Sequence, residues 1–496
     1  MNLPIDELRR RAIQSRTRRQ FLGCGQFGLG AMALAALAGE RSASAAEKAS
    51  DGARFVAPSA AKKPPLRARA KSIIYLHMSG GPPQQELWDY KPELVKRNMQ
   101  PCPESLLKGR RFAFIKGHPN ILGTPYKFHR RGNSGQWMSE LWPHLAKQID
   151  DVTVIRSMTT DQFNHAPAEL FLYTGSPNAG GASLGSWITY GLGSENADLP
   201  GFVVLVSGGT DPTGGKSLWG SGFLPSVFQG VQCRTSGEPI LYVSDPKGMS
   251  RDDRRRSLDA LRRLNELELR EFADPETVTR IGQYELAFRM QASVPEVMEL
   301  GREPAHVLEA YGAKPGSTAF ANNCLLARRL VEQGVRYVQL FDWGWDCHGT
   351  GPGDDIVKHL PQKCEQVDRP IAALLADLKQ RGLLDETLVV WGGEFGRTSM
   401  NEARGGSKSL GRDHHPHCFT LWMAGGGIRP GLSFGRTDEL GYDVVENPMT
   451  IRDLQATVLH LAGIDPYRMK FPFQGLEQRL IGPDDADAAI RTELLA

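Results

Sequence analysis

Short, almost uninterrupted apolar runs alternate along this chain with longer stretches of helical period. KSIIYLH (71–77), VTVIR (152–156), GFVVLV (201–206), PILYV (239–243), VRYVQLF (335–341), TLVVWGG (387–393) and CFTLWMAGG (418–426) have the length and continuity of strands buried on both faces. Between them, RDDRRRSLDALRRLNELELREF (251–272), STAFANNCLLARRLVEQ (317–333) and KHLPQKCEQVDRPIAALLADLKQRG (358–382) carry helical spacing. The alternation predicts an α/β fold with a mainly parallel central sheet and helices on both faces. The charged stretch from Arg251 to Glu271 reads as a solvated face or an inserted hairpin. Neither an internal repeat nor a clear break divides the chain after residue 70.

The N-terminus follows a different pattern. TRRQFLG (17–23) opens an uncharged, Gly- and Ala-rich run that continues to Gly39, and SASAA (42–46) offers a small-residue cleavage site. A paired arginine, a mild apolar core and an A-x-A-like end predict a twin-arginine export signal over 1–46. A membrane anchor is the weaker reading, because the run is short and weakly apolar for a stable span. Residues 47–70 are basic, Pro/Ala-rich and aperiodic, the composition of a flexible leader. A single domain is expected over 71–496, working outside the cytoplasmic membrane in the periplasm or beyond. Export permits disulfides, but the six cysteines after the signal are scattered with no CxxC pair, so the sequence assigns none.

Composition excludes more than it reveals. A net charge of +3 over 496 residues, part of it on the N-terminus, leaves no nucleic-acid footprint. No P-loop, GxGxxG or G-x-S-x-G arrangement stands in the required context.

The candidate chemistry lies in three loops at predicted strand ends, where sites form in such sheets. DWGWDCHG (342–349) carries Asp346 and His348, GGEFGRT (392–398) carries Glu394, and GRDHHPHC (411–418) carries Asp413, His414, His415 and His417. Carboxylates and imidazoles converging from strand ends suit a borderline divalent ion; each loop taken alone is better read as carrying polar groups of a surface loop. Arg397 and Arg412 are forks that match sulfate, phosphate or carboxylate oxygens, or that hold a loop by pairing locally.

With these residues in view, the chain resembles the alkaline phosphatase and sulfatase superfamily. VVWGGEFGR (389–397) is similar to its metal-binding strand end, IRDLQATVLHLAGID (451–465) to its late helix, and NHAPAELFLYTG (164–175) to its nucleophile signature from Pro167 to Gly175. HMSGGPPQQELWDYKP, WDCHG, GGEFGRT and GRDHHP, with their spacing, resemble a twin-arginine-exported, sulfatase-like bacterial family first labelled a domain of unknown function. The departures are coherent. His77 and Ser79 stand where sulfatases have an Asp pair on strand one, and His165 stands at the nucleophile. Glu169 replaces the arginine that orients it, and Phe395 the histidine beside the second-site Asp.

The resemblance implies one divalent ion (zinc, manganese or calcium) on Asp346, His348 and His414, with Glu394 as a further ligand or a nearby acid. Asp413, His415 and His77 are alternative ligands or groups that orient one. His165 is expected to transfer a proton, or else to be a hydrogen-bonded residue capping the next helix, and Arg397 is expected to stabilise an anion. The implied activity is hydrolysis of sulfate or phosphate esters, on a small molecule or a polysaccharide, without a covalent nucleophile. The alternatives are a non-catalytic protein binding a glycan or a partner along a groove of Trp343, Trp345 and Trp391, and a purely structural metal site.

Overall fold

The computed structural model describes residues 58–234, 239–240, 248–272, 275–483 and 486–496. The expected export signal (1–46) and most of the expected strand PILYV lie outside them.

Among the described residues, nine strands form the central sheet. In chain order they are β1 (Ser72–Ser79), β2 (Val152–Thr159), β3 (Phe202–Ser207), β4 (Val231–Gln232), β5 (Tyr337–Trp343), β6 (Thr387–Gly392), β9 (Phe419–Ala424), β10 (Ser433–Phe434) and β11 (Met449–Thr450). The numbers β7 (Gly396–Arg397) and β8 (His414–His415) belong to a separate two-stranded ribbon. The sheet order is β10-β2-β9-β6-β1-β5-β3-β4, with β11 on β2. The sheet is mostly parallel, and β9 alone runs antiparallel to both its neighbours, β2 and β6.

Side-chain alternation along β1 explains the two layers. Ile74, Leu76 and Met78 join one apolar core, shared with the helices Phe320–Glu332 and His359–Gln380. Ile73 and Tyr75 join the other, shared with α1 (His165–Thr174), Leu184–Leu192 and Ile451–Leu461. His77 therefore points into the second layer, edge-on to Tyr173 and Phe341. The charged stretch forms a helical hairpin, Arg251–Phe272 with Pro275–Met298, joined by an Arg255–Glu285 ion pair at 2.7 Å.

The expected flexible leader is, in its described part, held by backbone hydrogen bonds. Lys62 N donates to Leu192 O at 2.8 Å, Leu66 N to Gly463 O at 2.9 Å and Arg69 N to Leu461 O at 2.8 Å. Composition missed this because the partners are main-chain carbonyls, which leave no mark in sequence. Among the described residues no helix is long and apolar enough to cross a membrane, and all six cysteines are unpaired and buried.

Topology decides where the loops meet. β1, β5 and β6 are adjacent and parallel, with Ser79 level with Trp343 and His77 with Gly392, so the loops after them share one edge. Because β9 runs the other way, the loop before it reaches that same edge. β2 is antiparallel to β9, so the segment after β2, which leads into α1, arrives there too.

Candidate metal centre

Asp346, in the loop after β5, is the centre of the group. Its carboxylate faces His348 Nε2 at 2.9 Å, His165 Nε2 at 3.3 Å and His414 Nε2 at 3.4 Å. One donor atom from each of these four residues lies within 4.8 Å of all the others.

The far side of every imidazole is tied to an acceptor. His165 Nδ1 meets Glu394 Oε1 at 2.5 Å, His414 Nδ1 meets the Phe163 carbonyl at 2.7 Å, and His348 Nδ1 meets Glu402. Since carboxylates and carbonyls only accept, Nδ1 carries the proton in each ring and Nε2 is turned to the centre. Imidazoles that ligate a metal are oriented in this way. Rings pack the remaining sides: Phe114 is edge-on to His348 and His414, and Phe395 lies against His165 and His414.

Charge is distributed unevenly. Burial works against the Asp346 charge, but Arg397 and the three imidazoles hold its carboxyl far below the usual carboxylate range. Burial pushes His414 down to about 4, so it is neutral at pH 7. Burial also acts downward on His165, but its bonds to Asp346 and Glu394 outweigh it and raise it to about 9. The Asp346 side chain is 29% exposed and that of His165 14%, whereas Glu394 and Arg397 are sealed. The centre thus opens to solvent on the Asp346–His165 side.

The other expected residues fall elsewhere. Glu394 stands one step behind the centre, accepting from His165 and from Gly80 N at 3.0 Å. His77 is fully buried, 3.6 Å from Glu169 and 3.5 Å from Glu394. Asp413 accepts from the backbone N–H groups of Phe114 and Ile115 at 2.7 and 2.9 Å, so it anchors the Phe114 loop and orients no imidazole. His415 turns away, as successive strand residues must, and its Nε2 donates to Tyr442 O at 2.6 Å. His165 is the first residue of α1, with Asn164 at the cap position.

Arg397 cannot receive a substrate anion as expected. It is fully buried and its nitrogens are given to Gly80 O, Gly81 O, Arg412 O and Asp346. Arg412 is likewise consumed by Glu86 and by the Thr398 and Leu122 carbonyls. The tryptophan groove is also absent, because Trp345 and Trp391 are wholly inside the core. Sequence reading overlooked Glu402, Phe114 and Arg404. Only the Gly-rich NEARGGSK context (401–408), shortly after the GGEFGRT motif, hinted at a functional loop there.

The arrangement is a candidate divalent-metal centre of three imidazoles and a carboxylate at the strand ends of an α/β sheet. The chain belongs to the family described as protein of unknown function (DUF1501), whose model matches residues 70–491. Over 118 residues it is 32% identical to lipoteichoic acid synthase of Staphylococcus aureus, a match covering 23% of this chain and only 17% of the synthase. Among solved structures it is similar to a sulfatase from Pseudoalteromonas sp. (TM-score 0.35, 12% identity, 87% of this chain and 72% of that one). It is also similar to a phosphonate monoester hydrolase from Silicibacter pomeroyi (TM-score 0.34, 12% identity, 86% and 76%). At these scores the likenesses carry no functional weight.

Proposed function

We propose that this protein is an exported, metal-dependent hydrolase of sulfate or phosphate esters that works without a covalent nucleophile. One observation supports it most: three imidazoles, each tied at Nδ1, turn Nε2 toward a solvent-open carboxylate. Asp346, His348 and His414 would hold the ion, and the donor set of nitrogen and oxygen suits zinc or manganese better than calcium. A divalent ion held there supplies Lewis acidity and lowers the pKa of its water.

His165 does the proton work. Its Nδ1 is tied to Glu394 and its Nε2 is turned to the centre beside Asp346, so a proton held at Nε2 is placed to pass to the ester oxygen. Water adds to phosphorus or sulfur, the bond to the ester oxygen breaks, and that oxygen takes the proton. The proton lost by the water returns to His165 before the next turnover.

The second reading, a closed structural site in a glycan- or partner-binding protein, draws on His165 standing among the four donors. Elemental mass spectrometry on parent, Asp346→Ala/His348→Ala and His165→Gln protein, beside assays on 4-nitrophenyl phosphate and sulfate, separates the two. The hydrolase reading expects one equivalent of metal in the parent and in His165→Gln, none in the double variant, and turnover only in the parent. Loss of metal from His165→Gln, with an inactive parent, would establish the closed site instead.

A further inference from the structure

Arg397 and Arg412, the two guanidinium groups that the sequence offered for an anion, are spent inside the protein. A third stands on the Nδ1 side of His348. Arg404 lies flat over Phe114, its guanidinium carbon 3.8 Å from the ring centroid, and Phe114 is itself edge-on to His348 and His414. Arg404 Nε donates to Glu402 at 2.5 Å, the carboxylate that also takes the His348 Nδ1 proton. Its Nη2 is 3.4 Å from His348 Nδ1, and among the described residues no oxygen accepts from its terminal nitrogens.

The backbone is shaped to bring it there. Ala403 adopts φ +49°, in the left-handed region that residues other than glycine seldom enter, so Glu402 and Arg404 return to the same imidazole from either side of a reversal. Outliers of this kind gather at ligand-binding sites. Gly405 and Gly406 follow at φ +63° and +75°, where an added Cβ would meet nothing within 4 Å, so the loop turns outward without packing. Arg404 and Phe114 are both a little over one-third exposed.

We infer that Arg404, stacked on Phe114, is the residue that receives the tetrahedral oxyanion of the substrate beside the metal centre. A planar fork with free terminal N–H groups pairs two oxygens of a phosphate or sulfate at once, and stacking on a ring fixes its plane before the ligand arrives. Glu402 holds Nε and His348 lies 3.4 Å from Nη2, which leaves the end of the fork between the two terminal nitrogens without an acceptor among the described residues. This assignment rests on the hydrolase reading and names its anion-binding residue.

The test uses full-length exported protein, parent against Arg404→Gln and Arg404→Lys. The readouts are metal content, thermal midpoint, binding of inorganic phosphate and sulfate by calorimetry, and KM and kcat on 4-nitrophenyl phosphate and sulfate. In Arg404→Gln the metal and thermal midpoint stay at the parent level. Phosphate dissociation constant and KM rise about tenfold to a hundredfold, as for loss of a charged hydrogen-bond donor. Lysine restores part of the loss, because it keeps charge without the fork. A parent that binds and hydrolyses while Arg404→Gln does both equally well overturns the assignment and leaves the hydrolase reading standing. Metal loss in Arg404→Gln, with normal phosphate binding once metal is resupplied, overturns it in favour of simple support for Glu402. A metal-loaded parent that neither binds oxyanions nor turns over removes the hydrolase reading and this inference with it.

Discussion

His348 gives its Nδ1 proton to Glu402, and its Nε2 thereby faces Asp346 at 2.9 Å. The carboxylate is sealed from solvent and no other acceptor stands at that nitrogen among the described residues. Glu402→Gln keeps the size but loses the charge and allows an N–H to face the ring. Metal affinity should fall about 10–100-fold, as for other lost orienting partners, with little change in fold. Competition against a graded chelator measures it, and an unchanged affinity would remove Glu402 from the account.

Gly80 occupies a position no side chain can share. Its φ is +120°, and an added Cβ would lie 2.5 Å from Asp346 N and 2.9 Å from the Trp345 carbonyl carbon. Its N–H also donates to Glu394 at 3.0 Å. Gly80→Ala should push the Asp346 loop outward, lose the metal and cost about 1–3 kcal/mol of stability. Gly405→Ala is the control, since its φ is also positive but its surroundings are empty. Equal metal content in both variants would contradict this reading of Gly80.

Much of this was legible in the primary structure. Six strand segments could be read because strands buried on both faces must be continuously apolar, and the convergence of Asp346, His348 and His414 because carboxylates and imidazoles stood together at predicted strand ends. Arg397 was misread for a physical reason: a guanidinium at a strand end looks the same whether it faces solvent or three inward carbonyls. Glu402 was invisible because its only mark is a partner 54 residues away, brought near by the sheet edge. His415 was misread as a near-equivalent of His414, since a two-residue ribbon is too short to show its alternation.

Arg412 and Glu86 form an ion pair in which both side chains are fully buried, with Arg412 also donating to Thr398 O and Leu122 O. Removing one partner strands the other charge in a medium that solvates it poorly. Glu86→Ala should therefore cost about 3–5 kcal/mol. Replacing both, as Glu86→Leu with Arg412→Met, should cost less than the single change. Urea midpoints on metal-free protein test the order, and a single variant as stable as the parent would show that the pair holds nothing.

Stability should also fall on acidification through His415. Burial, with His417 and Arg110 nearby and the Tyr442 carbonyl opposing, pushes this imidazole from 6.5 down to about 3. The folded state keeps it neutral, while the unfolded chain takes up a proton once pH drops below 6.5. Its contribution is thus complete above that value and is lost progressively as pH falls toward 3, with an upper bound of about 5 kcal/mol. His415→Phe keeps a ring for stacking on Tyr442, which lies 4.5 Å away, and removes the titration. The variant starts less stable at pH 8 because the Tyr442 carbonyl loses its donor, yet its urea midpoint should decline less steeply between pH 6.5 and 4 than the parent's. Carboxylates that protonate over the same range act in both proteins and cancel in the comparison, so parallel curves would mean that His415 does not carry the acid sensitivity.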